Sequence, residues 1–211
     1  MTYFIKEIFY TLQGEGAHAG RPAVFCRFSR CNLWTGLERD RHRAVCKFCD
    51  TDFVGTDGVN GGRFRTAGEL ADAVEKQWLP TTAAHRFVVC TGGEPLIQLD
   101  AAAVDALHDR GFEIAVESNG TRVPPPGLDW LCISPKIGSE LVVERGDELK
   151  LVYPQEGGDP ALFEHLDFGS FRLQPMDGPE VEENTRAAVA YCLDHPRWNL
   201  SLQTHKQLGI A

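Results

Sequence analysis

The chain has 211 residues, of which 43% are hydrophobic and 24% charged, and its formal net charge is −9. This composition is ordinary for one globular domain over residues 1–211, and the acidic balance argues against nucleic-acid binding, which needs clustered Lys and Arg. Because the N-terminus lacks signal-peptide features and no apolar run approaches the roughly 18 residues of a membrane span, we expect a cytoplasmic protein with no membrane association.

Short β-rich runs alternate with helical patterns along the chain. The predicted strands are residues 23–29, 86–91, 112–118, 130–134, 148–153, 170–175 and 198–203. The predicted helices are residues 66–79, 100–111 and 180–196. Repetition of strand, helix and strand predicts a parallel sheet with crossover helices. Since the helices are too few for an eight-unit barrel, we predict an α/β fold with an open or partial barrel.

Seven cysteines occur in the chain, and three of them lie in a polar stretch. Cys46 and Cys49 are separated by two residues, and Cys31 lies a long loop upstream. Three thiolates suit an iron–sulfur cube whose fourth iron stays open to a cofactor. Two alternatives stay open, namely buried thiols or a structural zinc with His42 as the nearby fourth ligand. The other cysteines sit within apolar patterns that favour burial: Cys26, Cys90, Cys132 and Cys192.

Polar groups follow three successive predicted strands. The segment "TGGEP" at 91–95 has two glycines that would let a ligand approach the backbone, and Glu94 can accept hydrogen bonds from an ammonium. The segments "ESN" at 117–119 and "SPK" at 134–136 end the next two strands. Ligands of parallel α/β folds collect at the carboxyl ends of the strands, although each group alone also fits a turn or an N-cap.

The motifs "TLQGEG", "CNLW", "GGEP", "ESNGT", "SPK" and "LQTHKQLGI", which span nearly the whole chain, together resemble the 7-carboxy-7-deazaguanine synthase family of radical S-adenosylmethionine enzymes. The usual Cys-x3-Cys-x2-Cys spacing of radical S-adenosylmethionine enzymes is here Cys-x14-Cys-x2-Cys, and Thr35 stands where a cysteine would follow "CNLW". The resemblance implies a partial (βα) barrel with few helices.

The resemblance also implies a function. It implies a lyase that converts 6-carboxy-5,6,7,8-tetrahydropterin to 7-carboxy-7-deazaguanine with loss of ammonia, by radical ring contraction, in the biosynthesis of queuosine and related deazapurines for tRNA modification. The implied cofactors are a [4Fe-4S] cluster, S-adenosylmethionine and Mg2+. The implied partners are the pterin, a flavodoxin- or ferredoxin-type reductant and a second copy in a homodimer.

Site residues follow from the same resemblance. The implied cluster ligands are Cys31, Cys46 and Cys49, and the implied Mg2+ ligand is Thr51. The implied S-adenosylmethionine contacts are Phe48, Cys49, Asp50, Gly93, Glu94, Ser118, Ser134, Pro135 and Lys136. The implied pterin contacts are Leu12, Gln13, Gly14, Glu15, Arg27, Thr91, Gln174 and His205.

The chemistry of several of these residues agrees with such roles. Arg27 offers a planar fork for a carboxylate, and Gln13 and Glu15 suit the amide-like edge of a pterin. The Thr51 hydroxyl is a hard oxygen ligand that suits Mg2+. Plainer interpretations stay open: a surface arginine, a polar loop, a turn residue and, for His205, a structural histidine. Two other functions also stay open, a radical activase acting on a protein partner and a zinc-stabilised module without catalysis.

Overall fold

The structure, a computed structural model, describes residues 1–80 and 84–210. Its strands are β1 (Tyr3–Leu12), β2 (Pro22–Phe28), β3 (Gly62–Phe64), β4 (Phe87–Gly92), β5 (Glu113–Ser118), β6 (Trp130–Ile133), β7 (Arg145–Tyr153), β8 (Asp167–Pro175) and β9 (Trp198–Leu200). Its α-helices are α1 (Ala67–Glu75), α2 (Ala101–His108), α3 (Val181–Asp194) and α4 (Thr204–Leu208). Short 3₁₀ helices cover Gly16–His18, Glu38–Arg43, Pro95–Ile97 and Pro160–Phe163.

These strands form one sheet in the order β3-β1-β2-β4-β5-β6-β7-β8-β9. All neighbours from β2 to β9 are parallel, whereas β1 is antiparallel to both β2 and β3. The sheet stays open because β3 and β9 lie at its two edges. The predicted α/β fold with an unclosed, mostly parallel sheet and few helices is therefore confirmed.

All seven predicted strands and all three predicted helices are present, with shifts at their ends. The structure adds β1, β3 and α4, which the sequence did not predict. Strand β1 was not predicted because its pairing register with β2 shifts between Ile5 and Glu7, and this shift breaks the alternation of apolar and polar residues. The helix starts were well marked: Thr66 Oγ1 accepts a hydrogen bond from the Glu69 amide, and Asp100 caps α2 in the same way.

Alternation along the parallel strands separates two faces of the sheet. One face packs against the helices: α1 and α2 cover Val24, Cys26, Val88, Cys90 and Ile114, and α3 covers Leu149, Leu151 and Leu173. Cys26, Cys90 and Cys132 are buried and Cys192 is half-buried, which agrees with the sequence-based interpretation. The opposite face carries the polar residues of the site. Within the described ranges, no helix is long and apolar enough to cross a membrane.

Candidate active site

A cavity of about 410 Å³ lies against the polar face of the sheet, toward the carboxyl ends of the parallel strands. The six adjacent parallel strands β2, β4, β5, β6, β7 and β8 each contribute at least one side chain to its lining, among them Arg27, Thr91, Glu117, Cys132, Lys150 and Gln174. Each of these residues is next in sequence to a residue that packs under the helices. Because side chains alternate between the two faces of a sheet, each of them points to the opposite face, toward the cavity. The location agrees with the general position of ligand sites in parallel α/β folds.

The structure brings almost every implied site residue to this one cavity. The lining includes Leu12, Gln13, Gly14, Glu15, Arg27, Cys31, Cys46, Phe48, Cys49, Asp50, Thr51, Thr91, Gly93, Ser118, Ser134, Lys136, Gln174 and His205. Glu94 and Pro135 lie outside the lining. Residues near both ends of the chain and residues from its middle thus line the same cavity.

The three clustered cysteines line the cavity together as free thiols. Cys31 and Cys49 pack against Trp34 and Phe53. In the part of the chain that the structure describes, no three His, Cys, Asp or Glu side chains converge tightly enough to hold one metal ion.

The long segment between Cys31 and Cys46 is ordered by its own contacts. The Val45 amide donates a hydrogen bond of 3.0 Å to the Leu33 carbonyl, which closes the segment into a loop. Arg41, on the 3₁₀ helix Glu38–Arg43, donates to the carbonyl oxygens of Lys47 and Cys49. These contacts explain how a 14-residue spacing can return the last two cysteines to the side of Cys31.

Thiol ionisation differs across the cluster of cysteines. The hydrogen bond with Cys46 lowers the pKa of Cys49 to about 6, while burial opposes it. The same hydrogen bond and burial raise the pKa of Cys46, and burial raises the pKa of Cys31. Iron–sulfur clusters are bound by cysteine thiolates, so a set of three cysteine thiols fits such a cluster in its chemistry.

Glycine at position 93 permits the strand end of β4 to touch the cysteine loop. A Cβ atom on Gly93 would collide with the carbonyl group of Arg30 and lie 3.0 Å from the Cβ of Cys31. The adjacent Gly93 and Glu94 amides donate to the carbonyls of Phe28 and Arg30. The backbone of the "GGEP" segment therefore packs against the backbone at Arg30 and Cys31 and holds Cys31 in position.

Glu94 is fully buried, and both of its carboxylate oxygens are engaged by the protein. Oε1 accepts from the Leu96 amide at 2.9 Å and from Ser118 Oγ at 2.8 Å, and Oε2 accepts from the Asn119 amide at 2.8 Å. Burial raises the pKa of Glu94, and these hydrogen bonds oppose that rise. In this geometry Glu94 joins the loops after β4 and β5 instead of facing the cavity.

Lys136 is the cation on the side of the cavity near Ser118. Its Nζ donates to the carbonyl oxygen and to the hydroxyl of Ser134, at 2.6 and 2.7 Å. Burial lowers the pKa of Lys136, while the neighbouring Cys46 thiol opposes that effect. The "SPK" segment thus presents an ammonium and a hydroxyl at the carboxyl end of β6, where a polar ligand group can be bound.

The far side of the cavity carries two ion-pair systems. Arg27 Nε donates to Glu7 Oε1 at 2.7 Å, which holds the guanidinium against the cavity. The loop after β1 leaves the sheet at the end opposite Cys31, since Leu12 pairs with Pro22. Its Glu15 nevertheless reaches Lys150, with Nζ to Oε2 at 2.6 Å.

The C-terminal segment covers part of the cavity. Both the amide and the hydroxyl of Thr204 donate to the Gly14 carbonyl, and a Cβ on Gly14 would collide with the imidazole of His205. Gln203 Nε2 donates to Glu15 Oε1 at 3.0 Å. Lys206 Nζ lies 2.6 Å from the carboxylate of Asp50. The segment therefore connects the loop after β1 to the loop that carries Cys49.

Sequence reasoning missed several residues that complete the site. Lys150 lies in the predicted strand 148–153 but was not predicted as a site residue. A lysine inside "ELKLVY" nevertheless indicates a charged partner, because lysines are rarely buried without one. The other missed lining residues with charged or amide side chains are Lys6, Glu7, Asp52, Asp177, Gln203 and Lys206. Nothing in their local sequence distinguishes these from solvent-exposed positions.

The chain is similar over its whole length to several known proteins. A 7-carboxy-7-deazaguanine synthase from Bradyrhizobium diazoefficiens is 66% identical over 210 residues, covering 100% of both chains. Proteins of the same name from Caulobacter vibrioides and Bordetella pertussis are 64% and 61% identical over their full lengths. The crystal structure of QueE from Escherichia coli has a TM-score of 0.72 and 28% identity, covering 96% of this chain and 94% of that chain. No family model matches the chain.

Proposed function

Because this chain belongs to the 7-carboxy-7-deazaguanine synthase family of radical S-adenosylmethionine enzymes, we propose that it converts 6-carboxy-5,6,7,8-tetrahydropterin to 7-carboxy-7-deazaguanine with loss of ammonia. One observation carries the proposal: the cavity has three free thiols on one side and carboxylate, amide and guanidinium groups on the other. A radical enzyme needs this juxtaposition, because the cofactor and the reacting atom must lie in one enclosed site.

Cys31, Cys46 and Cys49 would hold a [4Fe-4S] cluster and leave its fourth iron open for S-adenosylmethionine. Bound together, the cluster and S-adenosylmethionine supply the radical that removes a hydrogen atom from the pterin. Ser134 and Lys136 would bind polar groups of the cofactor, and the backbone of Gly93 would lie beside it. The free thiols and the half-buried Lys136 in the cavity lining support these assignments.

The pterin would lie between β2 and the loop after β1. Arg27 would bind its carboxylate through a charge-assisted hydrogen bond, for which Glu7 has already oriented the guanidinium. Glu15 and Gln13 would bind the amino and amide edge, and Gln174 on β8 would complete it. The exposure of these side chains to one cavity supports the assignment.

Thr51 would contribute its hydroxyl to a Mg2+ ion shared with the substrate carboxylate. Its Oγ1 lies 3.5 Å from Asp50 Oδ1, and both residues line the cavity beside Cys49. Mg2+ takes few protein ligands and prefers hard oxygens, so a hydroxyl with substrate oxygens and waters is a suitable set. The ion would orient the carboxylate and balance its charge.

The remaining expectations follow from the family and complete the proposal. The product would enter queuosine and related deazapurine biosynthesis. A flavodoxin- or ferredoxin-type protein would reduce the cluster, and two copies of the chain would form a homodimer. All 211 residues would act as one domain.

Anaerobic incubation of the reconstituted protein tests the proposal. The protein is mixed with 6-carboxy-5,6,7,8-tetrahydropterin, S-adenosylmethionine, Mg2+ and a reductant, and the products are identified by mass. We expect 7-carboxy-7-deazaguanine and no product from a Cys31→Ala variant. If the protein holds four irons and releases 5′-deoxyadenosine but makes no deazaguanine, the substrate assignment is wrong. Colourless protein with one zinc would contradict the radical chemistry as well.

A further inference from the structure

We propose that Lys150 is a positioning residue that directs the carboxylates of Glu15 and Glu117 toward the hydrogen-bond-donating edge of the substrate; the inference rests on the proposed function. The Lys150 side chain is only 4% exposed. Its Nζ lies 2.6 Å from Glu15 Oε2 and 3.2 Å from Glu117 Oε2. All three residues line the cavity. One ammonium on β7 therefore contacts both the loop after β1 and, across β6, strand β5.

The second oxygen of each carboxylate is also held by the protein. Gln203 Nε2 donates to Glu15 Oε1 at 3.0 Å, and Gln13 Nε2 donates to Glu117 Oε1 at 2.8 Å. An ionised carboxylate has about four acceptor sites, so both groups keep capacity for further donors. One cation between two carboxylates leaves the group with a net negative charge. Such a group suits adjacent N–H donors, which the ring amide and the exocyclic amine of a pterin present together.

An apolar side chain of similar length would fill the same space without burying a charge. It would not, however, keep two neighbouring carboxylates ionised. Like charges in a buried site favour uptake of a proton by one of them. A protonated carboxyl would offer a hydroxyl where the substrate needs an acceptor. The ammonium of Lys150 therefore has a role that packing alone does not supply.

Electrostatics agree with this role. Burial would raise the pKa of Glu15, but the charge and hydrogen bond of Lys150, helped by Gln203 and Gln174, lower it to about 2. Burial alone would lower the pKa of Lys150, and the charges of Glu117 and Glu15 raise it well above its usual range. The other ionisable or charged groups that face this cluster are Cys132, Glu148, Arg172, Lys136 and His205. Lys150 thus stabilises the charged form of Glu15, and the two carboxylates stabilise the charged form of Lys150.

The test compares Lys150→Met with Lys150→Arg in the reconstituted protein. Binding of 6-carboxypterin is measured by calorimetry between about pH 5 and about pH 7, and urea unfolding is measured at the same pH values. We expect Lys150→Met to bind roughly tenfold more weakly at pH 7, with the deficit growing at least about threefold toward pH 5. Lys150→Arg should recover most of the affinity, because it keeps the cation.

Arg86→Met is the matched control. Arg86 pairs with Glu75 at 2.7 Å just before β4, at the end of the sheet away from the cavity. It should lower stability without changing pterin affinity. If Lys150→Met binds as wild type does, or is weakened equally at every pH with no recovery in Lys150→Arg, the inference is overturned. If wild-type protein fails to bind 6-carboxypterin while Arg86→Met shows the expected stability loss, the proposed substrate is wrong and the inference falls with it.

Discussion

The guanidinium of Arg41 lies over the ring of Trp34, 4.0 Å from its centroid, and donates hydrogen bonds to the carbonyl oxygens of Lys47 and Cys49. Trp34 is buried against Phe53 and the cysteines, so one side chain joins the inserted 3₁₀ helix to the wall of the cluster site. A cation over an aromatic face adds to the hydrogen bonds when both groups are partly shielded from water. The contacts of Arg41 thus stabilise the 14-residue segment that separates Cys31 from Cys46.

Removing that support should reduce iron binding. In Arg41→Met the side chain keeps its length but loses its donors, so the carbonyl of Cys49 is no longer fixed and the cluster thiols become less well placed. We expect iron content after reconstitution at limiting iron to fall by at least about half, with the urea midpoint little changed. Arg39→Met on the same 3₁₀ helix is the control, because the Arg39 side chain is 80% exposed. Equal iron content in the two variants would contradict the role of Arg41.

The cysteines divide into ligands and packing residues, and mutation should separate them. Cys31→Ala, Cys46→Ala and Cys49→Ala should each prevent stable cluster assembly, because three thiolates are the smallest set that leaves a single iron open. Cys192→Ala, on α3 and away from the cavity, should retain full iron content. Iron analysis with the visible absorption of the cluster makes the measurement. Loss of iron in Cys192→Ala, or its retention in Cys31→Ala, would refute this division.

Arg27 should contribute mainly to substrate binding. Arg27→Gln removes the charge that faces the cavity, and a hydrogen bond to a charged group is worth about 1.5–3 kcal/mol. We therefore expect KM for the pterin to rise roughly 10- to 100-fold, with a smaller change in kcat. Arg21→Gln is the control, since Arg21 pairs with Glu113 near the opposite ends of the strands. A drop in kcat at constant KM would show that Arg27 acts in another step.

Glu94 should matter more for stability than for cofactor affinity. Glu94→Gln replaces an acceptor oxygen with an amino group facing the donors of Leu96, Ser118 or Asn119, and an unsatisfied buried donor costs about 1–3 kcal/mol. Urea unfolding of the protein before reconstitution measures this loss. Binding of S-adenosylmethionine to the reconstituted variant is measured in parallel. A large loss of cofactor affinity at unchanged stability would instead indicate a direct contact.

Stability should fall in acid through Glu15. Against the effect of burial, the charge and hydrogen bond of Lys150 lower the folded-state pKa of Glu15 from its usual 4.5 to about 2. A carboxyl group whose pKa is lowered by folding stabilises the protein above its unfolded value, and this contribution is lost as the pH falls between the two values. We expect wild type to lose up to about 3 kcal/mol over this window from Glu15 alone. Glu15→Gln should show a shallower acid dependence in urea unfolding, and an identical slope would contradict the assignment.

Much of the fold follows from local patterns. Strands from β2 to β9 alternate or form short apolar runs, and Thr66 and Asp100 mark helix starts by capping. Strand β1 was missed because the shift between Ile5 and Glu7 disrupts its alternation. Strand β3 follows Gly61 and has Phe64 as its one apolar residue, so no β-rich run marks it; β9 is equally short but begins the alternating run "WNLSLQ".

The site residues show the same difference. Some are recognisable from their neighbours in the sequence, and others are recognisable only from contacts with distant residues. Motif residues such as Cys46 and Cys49 are recognisable because their chemistry depends on short spacing. The partnership of Glu15 with Lys150 is not, since the two lie 135 residues apart and meet only because the loop after β1 crosses to β7. Glu94 shows the converse: its motif was recognised, but the direction of its side chain depends on hydrogen bonds from the next loop.

In the proposed function, one cavity holds both the cluster and the pterin. An anaerobic crystal structure of the reconstituted protein with S-adenosylmethionine and 6-carboxypterin tests this directly. We expect a four-iron cluster on Cys31, Cys46 and Cys49, and a pterin whose carboxylate contacts Arg27 and whose amide edge contacts Glu15. A single zinc ion bound by the three cysteines and His42, or a pterin bound outside this cavity, would contradict the proposed function.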